Sequence, residues 1–487
     1  MNRPIRTLAV GCLVLFGLLL ANINYVQVFK ADGLNESSQN KRARNAECAR
    51  ERGPILVDGE PVARSVPSND SLKFQRRYTE VELYAHITGY FNCVFGTTAV
   101  EDSQNSVLSG SDSRLFLNRF IDLIGNEQPK GGSVSLTIDP QAQKAALEGL
   151  TALGEGTQGA VVALDPESGA ILAMVSTPSY NPNLVARHNI KKAERAINRM
   201  NEAEDDRALN RATQDVWPPG STFKLVVAAA ALSNGYTPQS TVKGGTSFDL
   251  PQSTDTIQNE GGSNCGGDEI TLTQALAVSC NVSFADLGLK LGGDVLLEQA
   301  EAFGFNDDDY LDELPLAASR FPEDLNEPNT AISSIGQYEV AATPLQMAMV
   351  AAGIANGGAV MKPYIVDSVR SPDLDVLDEA DDTVLSQAIS DTVADDLTQM
   401  MVEVVEEGTA DEVQIEGTSV AGKTGTANSA DERNPYAWMV SFAPADEPQV
   451  AVAVFIETAP GIDRADISGG GVAGPIAKSV MEAVIGQ

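Results

Sequence analysis

Histidine and positive charge are scarce in this chain, and both shortages exclude functions. Among 487 residues there are two histidines, His86 and His188. A Ser-His-Asp hydrolase would have to recruit His188, which sits in a polar stretch. No Cys-x-x-Cys pair is present, and with so little histidine this argues against a zinc site. Lys and Arg number 33 against 67 Asp and Glu, a formal net charge of −34. So acidic a surface repels phosphate backbones, which excludes nucleic acid as a partner class. The acidic runs Asp307-Asp308-Asp309 and Glu379-Ala380-Asp381-Asp382 read as solvated loops. Internal repeats are also absent, which excludes a solenoid. The 43% hydrophobic content excludes wholesale disorder, and the length is enough for two or three domains.

What is present begins at the N-terminus. Arg3 and Arg6 precede an uncharged run from Thr7 to Val28, rich in Leu, Val, Ile and Ala. At about 1.5 Å rise per residue this run crosses a hydrocarbon core of about 30 Å. Arginine on the short N-terminal side places that side in the cytoplasm. A cleaved signal peptide is the rival reading, but no small-x-small site stands near Leu20-Ala21-Asn22. The expected organisation is a cytoplasmic tail (1–6), a transmembrane anchor (7–28), a small N-terminal pedestal (29–133) and a large main domain (134–487) outside the membrane.

Outside the membrane, disulfides persist. Cys12 lies in the anchor, while Cys48, Cys93, Cys265 and Cys280 allow three pairings. The glycine-rich stretch Gly261 to Gly267 lets Cys265 fold back onto Cys280, which favours that pair. The alternatives are free thiols or pairing of either with Cys48 or Cys93.

Residues 52 to about 130 read as short strands and turns, with a loop over Ser103 to Ser113. From Val134 to Ile138 a strand is expected, then a helix from Pro140 to Leu153. Gly159–Leu164 and Ala170–Ser176 form a hairpin around Asp165-Pro166-Glu167-Ser168-Gly169. Apolar strands return at Ser419–Asn428, Ala437–Phe442 and Val450–Ile456, and the chain between reads as largely helical. The fold class is therefore α+β, an antiparallel sheet with a helical subdomain.

Three short motifs carry the chemistry. In Trp217-Pro218-Pro219-Gly220-Ser221-Thr222-Phe223-Lys224, the break ends where a helix apolar on all sides begins. Ser221 thus meets the positive end of a helix, and Lys224 shares its face one turn on. Burial depresses a lysine pKa, so Lys224 could accept the serine proton. Ser38-Gln39-Asn40-Lys41 has the same spacing in a polar linker with no core, which shows how weak the spacing is alone. The second motif, Ser279-Cys280-Asn281, lies between two helical stretches. The third, Ala421-Gly422-Lys423-Thr424-Gly425-Thr426-Ala427, puts a lysine inside an apolar strand whose small neighbours admit a substrate backbone. The bland readings are a helix cap, a helix-linking turn and an edge-strand lysine. The three motifs in this order, each in its own context, outweigh them.

On these residues the chain resembles the class B penicillin-binding proteins, most like the PbpA type of actinobacteria. Arg52-Gly53, Val134 to Gln141, the Gly159–Pro178 hairpin, Asn210-Arg211-Ala212, Ser334-Ile335-Gly336-Gln337 and Ala342-Thr343-Pro344 fit the same pattern. The resemblance implies a penicillin-binding transpeptidase domain and a peptidoglycan D,D-transpeptidase with no cofactor. It implies Ser221 as the nucleophile on a D-Ala-D-Ala stem peptide and Lys224 as its base. Ser279 and Asn281 would relay protons and position substrate, and Lys423, Thr424, Gly425 and Thr426 would bind it. The backbone N–H groups of Ser221 and Thr426 would form the oxyanion hole, and β-lactams would acylate Ser221. Partners implied are stem peptides, the cytoplasmic membrane and proteins of a cell-wall synthesis or division complex. The pedestal is short for the class, with its motifs faint. The rivals are a β-lactamase, for which Pro322-Glu323-Asp324-Leu325-Asn326 would supply the deacylating glutamate, and a non-catalytic scaffold.

Overall fold

The computed structural model describes residues 3–30, 48–115, 130–427 and 435–486. Ser38 to Lys41 and most of the expected linker lie outside the described residues, as does Asn428. Arg3–Phe29 is one helix, and its stretch Ile5–Val26 is long and apolar enough to cross a membrane.

Two sheets organise the rest. Five antiparallel strands stand in the order Ala421–Ala427, Tyr436–Ala443, Val450–Thr458, Gln158–Leu164 and Ile171–Thr177. Their nearly continuous burial explains the apolar runs, because helices cover both faces. Pro140–Ala152 and Gly474–Ile485 pack together on one side, and Pro344–Ala355 lies against the middle strands. The Asp139 carboxylate accepts from the N–H groups of Gln141 and Ala142, and the Thr343 hydroxyl accepts from Gln346. Both residues are N-caps followed by proline at the first helical position, which is what those two motifs do locally.

The second sheet differs from expectation. Its six strands run Val376–Glu379, Val366–Arg370, Ser133–Leu136, Ile55–Val57, Glu60–Pro67 and Phe74–Tyr78. The Ser133–Leu136 strand pairs in parallel with Ile55–Val57, and two strands from more than 200 residues later complete the sheet. The stretch between the early hairpin and the late strands is therefore not only helical; it also carries three short two-stranded ribbons. The expected loop over Ser103 to Ser113 begins instead as helical turns, Val100–Ser103 and Asn105–Leu108. These turns place Glu101, fully buried, between the guanidinium groups of Arg52 and Arg76, each with Nε at 2.5 Å. Arg52-Gly53 is thus a structural device: Arg52 neutralises a buried carboxylate. A Cβ on Gly53 would meet the carbonyl oxygen of Gly132 at 1.7 Å.

Candidate active site

The chain turns at Trp217–Gly220 because Gly220 takes φ of 53° and approaches Gly336 closely. Its N–H donates to the Gly336 carbonyl at 3.0 Å. A 3₁₀ turn, Gly220–Phe223, follows and runs directly into the helix Lys224–Ser233. The helix is buried on every side from Lys224 to Leu232, as its uniformly apolar sequence requires. Ser221 opens toward a cleft of about 420 Å³, and Lys224 is completely buried beneath it.

Lys224 Nζ lies 3.0 Å from Ser221 Oγ, 2.7 Å from Asn281 Oδ1, 2.8 Å from the Ser279 carbonyl and 3.2 Å from Ser279 Oγ. Ser279 Oγ is also 3.0 Å from Lys423 Nζ, which donates to the Thr424 carbonyl at 2.8 Å as well. One hydroxyl therefore joins two buried lysines. All three sequence motifs converge here. Thr424 and Thr426 line the cleft, and Gly425 passes close to Pro219 and Thr222, where a Cβ would crowd the turn bearing Ser221.

Neither amine carries its ordinary proton affinity. Burial, and then the positive charge of Lys423, push Lys224 well below the usual lysine range. Burial lowers Lys423 to about 7, against a partial pull upward from Glu260. Lys224 Nζ, beside Ser221 and depressed in this way, can be neutral and accept the serine hydroxyl proton.

Ser279 has φ of 56°, a left-handed conformation that is uncommon outside glycine. Its neighbours hold it there. The Cys280 N–H donates to the Ala275 carbonyl at 2.8 Å, and Cys280 is joined to Cys265 in a disulfide. That pairing agrees with the sequence expectation, and a second disulfide links Cys48 and Cys93. Asn281 Nδ2 donates to the Gln258 carbonyl at 2.8 Å, while Asn259 Oδ1 accepts from the Val282 N–H at 3.1 Å. The segment before Cys265 is therefore sewn to the Ser279 turn on both sides.

This segment brings residues the sequence reading did not single out. Asn259, Glu260 and Ser263 line the cleft, as do Thr409, Asp411, Glu412 and the Ser468–Gly471 turn. The glycine runs Gly261-Gly262 and Gly469-Gly470-Gly471 were the available signal, since such runs let backbone come close to a ligand. Neither histidine belongs to the cleft. The His188 ring faces Asp70, and His86 is buried against the Arg207 carbonyl. Glu323 is exposed in the turn before the Glu327–Ser333 helix and does not line the cleft either.

Residues 159–482 match the penicillin binding protein transpeptidase domain, and residues 52–134 match the penicillin binding protein A dimerisation domain. The peptidoglycan D,D-transpeptidase PbpA of Mycolicibacterium smegmatis is 41% identical over 490 residues, covering 100% of this chain and 99% of the relative. PbpA of Mycobacterium tuberculosis is 40% identical, with the same coverage. The ceftriaxone acyl-enzyme complex of penicillin-binding protein A from M. tuberculosis superposes with a TM-score of 0.86 at 38% identity, covering 91% of this chain and 100% of that one. Its penicillin G acyl-enzyme complex gives 0.83 at 38%, covering 90% and 100%. Two buried lysines joined through Ser279, one of them beside Ser221, thus occupy a fold shared with acyl-enzymes of β-lactams, and the chain belongs to the penicillin-binding protein transpeptidase family.

Proposed function

We propose that this chain is a membrane-anchored peptidoglycan D,D-transpeptidase in which Ser221 attacks the D-Ala-D-Ala bond of a stem peptide. The observation that carries the reading is the buried Lys224 amine 3.0 Å from Ser221 Oγ. Lys224 takes the hydroxyl proton as the Ser221 oxygen bonds to the carbonyl carbon. The bond to the terminal D-Ala nitrogen breaks, and that nitrogen leaves with a proton returned through Ser279. Ser279 suits this relay because its hydroxyl touches both amines. Asn281 holds Lys224 in place. An amine of a second stem peptide then attacks the acyl-enzyme, giving the cross-link and freeing Ser221; water in its place gives carboxypeptidation.

The opposite wall binds the donor. Lys423 and Thr424 offer a cation and a hydroxyl to the terminal carboxylate, and Gly425 and Thr426 present backbone to the peptide. The N–H groups of Ser221 and Thr426 serve as the oxyanion hole. A β-lactam acylates the same Ser221. Ile5–Val26 is the anchor, with Arg3 and Arg6 on the cytoplasmic side and the two sheets outside. There the enzyme works beside other proteins of the wall-synthesis or division machinery.

The direct test is product analysis of purified full-length protein given a D-Ala-D-Ala donor and an amine acceptor. Cross-linked product from the parent and none from Ser221→Ala supports the reading. Rapid multiple turnover of benzylpenicillin without cross-linking would replace it with a β-lactamase.

A further inference from the structure

We propose that the outward face of the Ile190–Asn201 helix, together with Arg187, docks on anionic phospholipid headgroups. The proposal rests on the reading of Ile5–Val26 as a membrane anchor. The starting observation is segregation of charge. In a chain with 33 basic residues spread over 487, five of them, Arg187, Lys191, Lys192, Arg195 and Arg199, fall within 13 positions. All five are exposed, and none takes part in an ion pair among the described residues. Glu194 is the one acidic residue within those positions; the acidic run Glu202, Glu204, Asp205 and Asp206 begins only after the helix ends, with Asp205 facing Arg207, while Asp70 faces His188 and Glu82 lines the pocket that Arg199 borders.

The helix is also amphipathic in an incomplete way. Ala193 and Ala196 are buried against the body, but the same stripe starts at Ile190, which is 52% exposed. A second exposed aliphatic side chain, Val94, belongs to a segment joined to it. The Asn92 side chain donates to the Val185 carbonyl at 2.6 Å and to the Arg187 carbonyl at 3.4 Å, and it accepts from the Val94 N–H at 2.8 Å. Exposed aliphatics among unpaired cations suit an interfacial membrane surface, and a purely polyanionic partner would leave them unused.

The connection to the anchor points the same way. Asn92 is next to Cys93, whose disulfide to Cys48 fixes the point where the anchor segment joins the folded body. Only residues 31–47 separate Cys48 from the helix that ends at Phe29 and Lys30, at most about 60 Å of chain. The basic face therefore borders the attachment point of the tether. Elsewhere the acidic body is repelled by an anionic leaflet, so this face would set the orientation of the enzyme on the membrane. Each cation close to such a surface favours binding by roughly fivefold, so removing three should weaken docking by about a hundredfold.

The test uses full-length protein in lipid nanodiscs of phosphatidylcholine alone or of a phosphatidylcholine–phosphatidylglycerol mixture. Hydrogen exchange is followed in peptides spanning Arg187 to Asn201. Protection in the anionic discs only, lost in a Lys191→Gln, Lys192→Gln, Arg195→Gln variant that still forms the penicillin adduct, supports the proposal. Equal exchange in both lipids, protection that survives the triple substitution, or protection that appears only when a soluble polyanion is added overturns it. Extraction of the parent protein from membranes by alkaline carbonate would instead remove the anchor reading; retention of the triple variant there, with its exchange protection lost, separates the two.

Discussion

Replacing Lys423 with Met should stabilise the folded protein near neutral pH while slowing, without abolishing, its acylation. Lys423 is fully buried and its proton affinity falls from 10.5 to about 7 on folding. Between those two values the unfolded chain holds a proton that the folded protein does not, so stability rises with pH across this window. At about pH 7.5, neutralising this lysine costs on the order of 4 kcal/mol of folding free energy; at about pH 9.5 it costs on the order of 1. Methionine fills a similar volume and has no proton to lose. Against that gain stand the contacts of Nζ with Ser279 Oγ and the Thr424 carbonyl, worth about 1 kcal/mol each. The variant should therefore be about 2 kcal/mol more stable at about pH 7.5 and no more stable than the parent at about pH 9.5. Chemical denaturation of both proteins at the two pH values measures this. A variant less stable than the parent at the lower pH, or a difference that does not change with pH, would refute the reasoning.

Other outcomes follow from the same geometry. Benzylpenicillin should leave one long-lived adduct, on the peptide carrying Ser221, as read by mass spectrometry; an adduct elsewhere contradicts the assignment. Lys224→Arg should cut the acylation rate by about 10²–10⁴ while the fold survives, because arginine does not give up its proton. Acylation should rise with pH as Lys224 loses its proton, and in Lys423→Met this limb should move to higher pH because a neighbouring positive charge is gone. Opening the Cys265–Cys280 disulfide by Cys265→Ala should destabilise the protein by up to ~3 kcal/mol in the chain-entropy account and slow acylation, since the bond restrains the Ser279 turn.

The parts of the site legible in the sequence were those whose local context is odd without a function. A lysine within an apolar strand, Lys423, and a lysine at the head of a helix apolar on all sides, Lys224, both demand a buried polar partner. The disulfide was legible because Cys265 follows a glycine-rich stretch that can fold back. The late strands of the five-stranded sheet were visible as apolar runs. What stayed hidden depends on pairing over long distances. Nothing local marks Val366–Arg370 or Val376–Glu379 as strands of the pedestal sheet, and the second of these is short and largely exposed. Glu101 could not be distinguished from a surface glutamate until Arg52 and Arg76 were seen on either side of it. Glu260 reaches the cleft only because Asn259 and the disulfide hold its loop against the Ser279 turn.

In the proposed mechanism, two lysines that share the Ser279 hydroxyl take the part of histidine in acid–base chemistry. A single buried lysine would lose its proton and serve only as a base. Burial depresses both, Lys423 to about 7 and Lys224 well below the usual lysine range, where the positive charge of Lys423 is a further cause that has no counterpart at Lys423; Glu260 pulls both upward. Groups whose environments separate their proton affinities divide into acceptor and donor. Ser279 Oγ lies within reach of both amines, so under the proposed mechanism it would pass a proton taken at Ser221 to the leaving nitrogen without crossing open solvent. The proposed relay requires Ser279 to keep its left-handed backbone, so on that proposal the restraints on the turn, the Cys280 bond and the Asn259 and Asn281 contacts, matter to catalysis as much as the lysines do.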